Sequence, residues 1–129
     1  MEGSPPVLVP ELLARRAAED PGAVALVVHG GPVLTYAAWQ AGAATVARGL
    51  AERGVQRGER VALVFDNAHW SDFAVAYVGA LAAGAVAVPL GPRFSHPELA
   101  GVLAHCDPVG VLRPPALASS VPPGPWWSA

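Results

Sequence analysis

Two short runs leave this chain little choice of architecture. Val61-Ala62-Leu63-Val64-Phe65 and Ala85-Val86-Ala87-Val88-Pro89-Leu90 are apolar at every position. They lack the polar alternation of a strand with one wet face, so each reads as a strand buried on both sides, the mark of a parallel sheet covered by helices. Between the runs, Trp70 to Ala83 places Phe73, Ala76, Tyr77, Ala80 and Leu81 on one side of a helix that Gly84 ends. After the second run, Gly91-Pro92-Arg93-Phe94 reads as a loop, and Ser95 caps a helix with Pro97 and Glu98 in its first turn. That helix runs to about Cys106, and Val109 to Leu112 reads as a third buried strand. The order from residue 60 is β-α-β-α-β with short connections, a right-handed parallel α/β unit.

A helix and a β-hairpin precede it. Pro10 suits a first helical position, Leu12, Leu13, Arg16 and Ala17 follow at helical spacing, and Asp20-Pro21-Gly22 stops the helix near Glu19. Ala23 to Val28 and Val33-Leu34 flank His29-Gly30-Gly31-Pro32, a two-glycine hairpin turn. Thr35 is a good N-cap for Tyr36 to Arg53, whose Trp39, Ala43, Val46, Ala47 and Leu50 form one apolar face before Gly54. Trp39, Trp70, Phe73 and Tyr77 sit on apolar helical faces and are expected in the core. After Arg113, five prolines fall between Pro114 and Pro125 and the chain ends Trp126-Trp127-Ser128-Ala129. The expected division is a domain over 1–113 and an extended proline-rich tail over 114–129.

Composition excludes several functions. The 129 residues make one domain with a single core. Net charge is −2, so no basic footprint for nucleic acid or anionic membrane is expected. All eight basic residues are arginine, which removes Schiff-base chemistry and a P-loop lysine together. A single cysteine, Cys106, allows no intramolecular disulfide, and the first residues show no signal-peptide pattern, so a reduced cytoplasmic setting is expected. The 20 uncharged residues from Phe73 to Pro92 reach membrane-spanning length. Gly84 and Pro89 interrupt them, and a buried helix followed by a buried strand explains them better.

Motifs for chemistry are sparse. His29-Gly30-Gly31-Pro32 resembles an oxyanion loop, but none of the six serines sits in a G-x-S-x-G elbow. His29, His69, His96 and His105 do not converge in sequence as metal ligands would, and adjacent His105 and Cys106 point to different faces of their helix. Asp66 and Asn67 follow the first parallel strand, where open α/β sheets bind ligands; capping of the next helix is the simpler role. No G-x-G-x-x-G follows any strand.

A family likeness emerges from the order of several short stretches. Val33-Leu34-Thr35-Tyr36-Ala37 resembles the opening "LTY" motif of the adenylate-forming superfamily: acyl-CoA and aryl-CoA ligases, nonribosomal peptide synthetase adenylation domains and luciferases. Ala47-Arg48-Gly49-Leu50, Arg53-Gly54-Val55 and Gly58-Glu59-Arg60-Val61-Ala62 resemble the stretch that follows it. Leu81 to Leu90 is similar to the second family motif, and Gly91 to Leu99 is nearer the acyl-CoA ligase version. The likeness runs from about Val9 to Leu112, with Ala38 standing where the family usually has an acidic residue.

The resemblance implies the first part of an AMP-dependent ligase, cut before the ATP phosphate loop. The two motifs present are scaffold in the family. The phosphate loop, the acidic ribose motif and the lysine of the C-terminal lid do not occur in these residues. The chain is therefore expected to be non-catalytic alone, with no cofactor, metal or catalytic residue of its own. It would act as a structural or partner-binding module in natural-product biosynthesis; the alternative is an AMP-dependent ligase active only when complemented by a separately encoded remainder. A homodimer or a protein partner supplying the missing sheet is expected, because a strand of buried type otherwise becomes an edge. Trp126 and Trp127 are the candidate interaction residues, anchors that cover apolar surface on their own chain or on a neighbour.

Overall fold

The computed structural model describes residues 8–27, 31–91 and 93–129. Helix α1 (Val9–Glu19) is followed by an antiparallel hairpin, β1 (Val24–Val27) and β2 (Val33–Thr35), with Leu26 opposite Leu34 and Val27 opposite Val33. The turn expected at His29-Gly30 lies outside the described residues. Thr35 ends β2 and caps α2 (Tyr36–Glu52): its Oγ1 accepts the Ala38 N–H at 3.1 Å.

The main sheet holds β3 (Arg60–Val64), β4 (Val86–Leu90), β5 (Gly110–Leu112) and β6 (Trp127–Ser128), all parallel, in the order β4-β3-β5-β6. The chain leaves β3 through α3 (Trp70–Ala82) to the neighbouring β4, then returns across the sheet through α4 (His96–Cys106) to β5. With right-handed crossovers, that reversal puts α3 and α4 on opposite faces. Alternate residues of β3 feed two cores. Val61 and Leu63 pack with Leu50 of α2 and Ala76 and Ala80 of α3. Ala62 and Val64 pack with Leu99 and Leu103 of α4 and Val111 of β5. All four of these β3 side chains are fully buried, as the continuous apolar run requires.

Small residues bring α2 and α3 close together. A Cβ on Gly79 would collide with Val46, so only glycine permits this approach. The Trp39 indole N–H donates to the Ala74 carbonyl at 2.9 Å across the same seam. At α4, Ser95 Oγ accepts the Glu98 N–H and the Glu98 carboxylate accepts the Ser95 N–H, a complete capping box.

Three expectations change. β4 is an edge strand with Val86 47% exposed, so its run is not buried on both faces. Trp70 is also 47% exposed: it opens α3 beyond the end of the sheet and stacks on Phe73 with centroids 5.1 Å apart. The proline-rich segment does not run out as one extended tail. Pro115–Ser120 form a 3₁₀ turn, and the chain returns to make β6 beside β5. Proline fixes φ near −65°, which suits a 3₁₀ turn as well as an extended strand.

That return is locked by the paired tryptophans. Neighbouring strand residues point to opposite faces. Trp127 packs with the α2–α3 core, under the Arg53 guanidinium at 4.7 Å, and Trp126 packs with the α4 core while its indole N–H donates to Pro122 O at 2.9 Å. The Trp127 ring lies against Gly110 so closely that a Cβ there has no space. No helix among the described residues is long and apolar enough to cross a membrane.

Trp127→Ala is expected to cost about 2–4 kcal/mol, since a large partly buried aromatic leaves a cavity. Gly110→Val should cost a similar amount by evicting the ring. Thermal melts should therefore drop by roughly 8 °C or more for both variants, and by little for Trp70→Ala. Equal melting temperatures for Trp127→Ala and the parent chain would contradict this packing.

Candidate functional site

The carboxyl ends of the parallel strands meet on one side of the sheet, where loops leave toward helices and ligands usually bind. A cleft of 610 Å³ opens there between the ends of β3 and β4, lined by Phe65, Asp66, Asn67, Gly91, Arg93 and Phe94. A smaller recess of 220 Å³ shares Phe65, Asp66, Asn67 and Gly91 and reaches Trp70, Phe73 and Pro89. Phe65 and Phe73 meet edge to face at 6.0 Å, and Phe73 stacks on Tyr77 at 5.8 Å. The cleft thus pairs an aromatic wall with one cation, one carboxylate and one amide.

Asp66 is held from behind by a local motif. It precedes the 3₁₀ turn Asn67–His69, and its Oδ1 accepts the His69 N–H at 3.1 Å. The same oxygen meets His69 Nδ1 at 2.5 Å. Hydrogen bonding from His69 is the main cause that lowers the Asp66 pKa below 3.8. With Asp66 ionised, Nδ1 must carry the proton, which leaves Nε2 as the acceptor in the neutral ring. His69 does not line the cleft, so only Asp66 of this pair faces it. Among the described residues, no serine, threonine or cysteine lines it either. The arrangement can bind and orient a group.

The remaining sequence candidates are dispersed. His29 lies outside the described residues. His96 Nε2 meets the Ser119 carbonyl at 2.7 Å, tying the start of α4 to the 3₁₀ turn after β5. His105 and Cys106 end α4, and Cys106 is a free thiol. No three His, Cys, Asp or Glu side chains among the described residues converge for a metal ion. Trp126 and Trp127 sit at the β6 edge, away from the lining of the cleft. Sequence reasoning singled out Asp66 and Asn67 but missed the Asp66–His69 pair and Arg93. The D-x-x-H spacing of a capping residue was the available signal for the pair.

A depressed aspartate pKa stabilises the fold above the unfolded value and loses that contribution as pH falls through the folded value. The melting-temperature advantage of the parent chain over Asp66→Asn should therefore be full at pH 6 and fade below about pH 4. A difference that stays constant down to pH 2 would show that the carboxylate charge contributes nothing. Asp66→Ala removes the cap as well and should cost about 0.5–2 kcal/mol.

Known proteins resemble this chain in sequence and in fold. The sequence profile of the family described as AMP-binding enzyme matches residues 13–123, reaching beyond Leu112 into the proline-rich segment. Feruloyl-CoA synthase of an Amycolatopsis species is 40% identical over 111 residues, 83% of this chain and 21% of that protein. The medium-chain fatty-acid–CoA ligase of Escherichia coli is 36% identical over 87 residues, 67% of this chain and 15% of the ligase. Among solved structures, the nonribosomal peptide synthetase FmoA3, bound to α-methyl-L-serine-AMP, superposes with a TM-score of 0.88 at 29% identity. That match covers all of this chain and 14% of FmoA3. The chain therefore spans between a seventh and about a fifth of the length of these relatives. Its profile match, its motif order and its doubly wound sheet place the chain in the AMP-binding, adenylate-forming enzyme family, in the N-terminal part of that fold.

Proposed function

We propose that these 129 residues act as the N-terminal scaffold of an acid-activating, AMP-forming ligase fold and carry out no adenylation by themselves. One observation carries the reading. The match falls on a small N-terminal share of much longer ligases, and the matched sequence holds no lysine and no phosphate loop. Adenylyl transfer depends on positioning and on cationic stabilisation of phosphate charge. Those groups come from sequence outside these residues, on the same polypeptide or on a separate one. The relatives include acyl-CoA ligases and hybrid polyketide–peptide synthetases, which supports a role in acyl activation or natural-product assembly. The module works through its surfaces, covered by a second copy or by the remainder of the ligase fold. Trp126 and Trp127 hold segment 114–129 on the domain for that purpose. A reduced cytoplasmic setting suits the single free Cys106.

The 129-residue chain should show no pyrophosphate exchange into ATP with any acid. By calorimetry with magnesium it should bind ATP no tighter than about 100 μM, lacking the phosphate clamp. Exchange above background would overturn the reading. Adding the remaining ligase sequence as a second polypeptide should restore exchange, and a failure of that mixture to form a complex would count against complementation.

A further inference from the structure

The sheet edges are poor docking sites. The Val86 N–H donates to Glu59 O, so Val86, Val88 and Leu90 turn their backbone groups toward β3, and Ala87 and Pro89 turn theirs outward. Pro89 has no N–H, which leaves Ala87 as the one outward donor of β4. At the other edge, β6 is two residues long. The exposed apolar surface lies elsewhere, on α1 and on the hairpin.

Helix α1 buries Leu13 and turns Leu8 (its N-cap), Glu11, Leu12, Arg15 and Glu19 outward. Leu8, Val9 and Leu12 are 59%, 45% and 49% exposed, unusual for three neighbouring large side chains on one short helix. Beside them is a 190 Å³ notch floored by Leu13, Tyr36, Trp39 and Val78. The Arg16 guanidinium is stacked over Tyr36 at 5.0 Å and bound to Glu19 at 3.4 Å, so its charge is already engaged. Glu11 and Arg15 have no opposite charge within 4.0 Å among the described residues. The hairpin exposes Val24, Val27 and Val33 but carries no charge there to set a register.

We infer that the outer face of α1 is a docking surface for a second copy of this chain, the two helices lying antiparallel about a twofold axis near Leu13. That arrangement places Glu11 of each copy beside Arg15 of the other, twice by symmetry. Each copy's exposed Leu12 then closes over the apolar notch of its neighbour, and Leu8 lies opposite Ala18 at the end of the contact. The surface is self-complementary in charge and shape, as an isologous contact requires. An 11-residue helix is about 16 Å long, so the contact is small and the dimer forms reversibly at high concentration. The inference goes beyond the non-catalytic reading above and is tested by mass alone, without ATP, so either can fail separately.

Light scattering of the full chain should show a mass rising from 13.2 kDa toward twice that value between about 10 μM and 1 mM. Glu11→Arg and Arg15→Glu should each weaken association about fivefold or more, because each puts like charges together at both symmetric contacts. Mixed one to one, the two variants should form a heterodimer with near-parental affinity, since each supplies the charge the other lost. Altered helix stability within one chain cannot produce that rescue, and matching circular dichroism spectra would establish that both variants fold. A parent chain that stays at 13.2 kDa up to 1 mM, or variants that self-associate like the parent, or a mixture that remains monomeric, would each overturn the inference.

Discussion

Everything in this fold is built around the double burial of β3. Four consecutive side chains, Val61 to Val64, are removed from water on alternate faces of the sheet. One face needs α2 and α3, and the other needs α4. At about 25 cal/mol per Å² of apolar surface, neither face can be left bare. The chain must therefore cross the sheet, and the crossing from β4 back to β5 follows from that requirement. The cleft follows as well. The loops after β3 and β4 leave their strands at the same end, and the gap between them holds Asp66, Asn67 and Arg93.

The helix layer on the first face depends on small residues. With Gly79 against Val46, α2 approaches α3 closely enough for Trp39 to reach the Ala74 carbonyl. That indole hydrogen bond satisfies a polar group inside an otherwise apolar seam, where an unmade bond is costly. The alanine-rich composition thus has a packing consequence: sheet and helices sit close together, with short side chains such as Ala62, Ala74, Ala76 and Ala80 filling the space.

Local signals carried most of the architecture. Thr35, Ser95 with Glu98, and Gly54 marked helix ends through chemistry confined to a few residues, and the structure puts helix termini beside each. Properties set by distant neighbours were illegible. Helical periodicity gives the direction in which Trp70 points but not the absence of a strand beneath it. The apolar run of β4 looks the same in a central or an edge strand, and Pro89 was the one sign of the latter. β6 exists only because Gly110 leaves room for Trp127 and β5 offers a free edge, facts separated by many residues in sequence. At the cleft, Asp66 and Asn67 were legible from their place after a parallel strand. Arg93 was not, because a loop residue declares no direction.

The brevity of β6 also shapes how the native state breathes. Two ladder residues and two indoles hold the last strand, while β3 and β4 share a register of five residue pairs. Local opening follows the elements with the fewest buried contacts, so β6 detaches at a lower free energy than the β3–β4 pair. When it does, the three-residue β5 loses one flank, and segment 114–126, already exposed along much of its length, is freed from its second attachment to the domain. Amide exchange at Trp127 and Ala129, whose N–H groups bond to Val109 and Val111, therefore reports a subglobal opening, distinct from the global unfolding that releases the amides of β3.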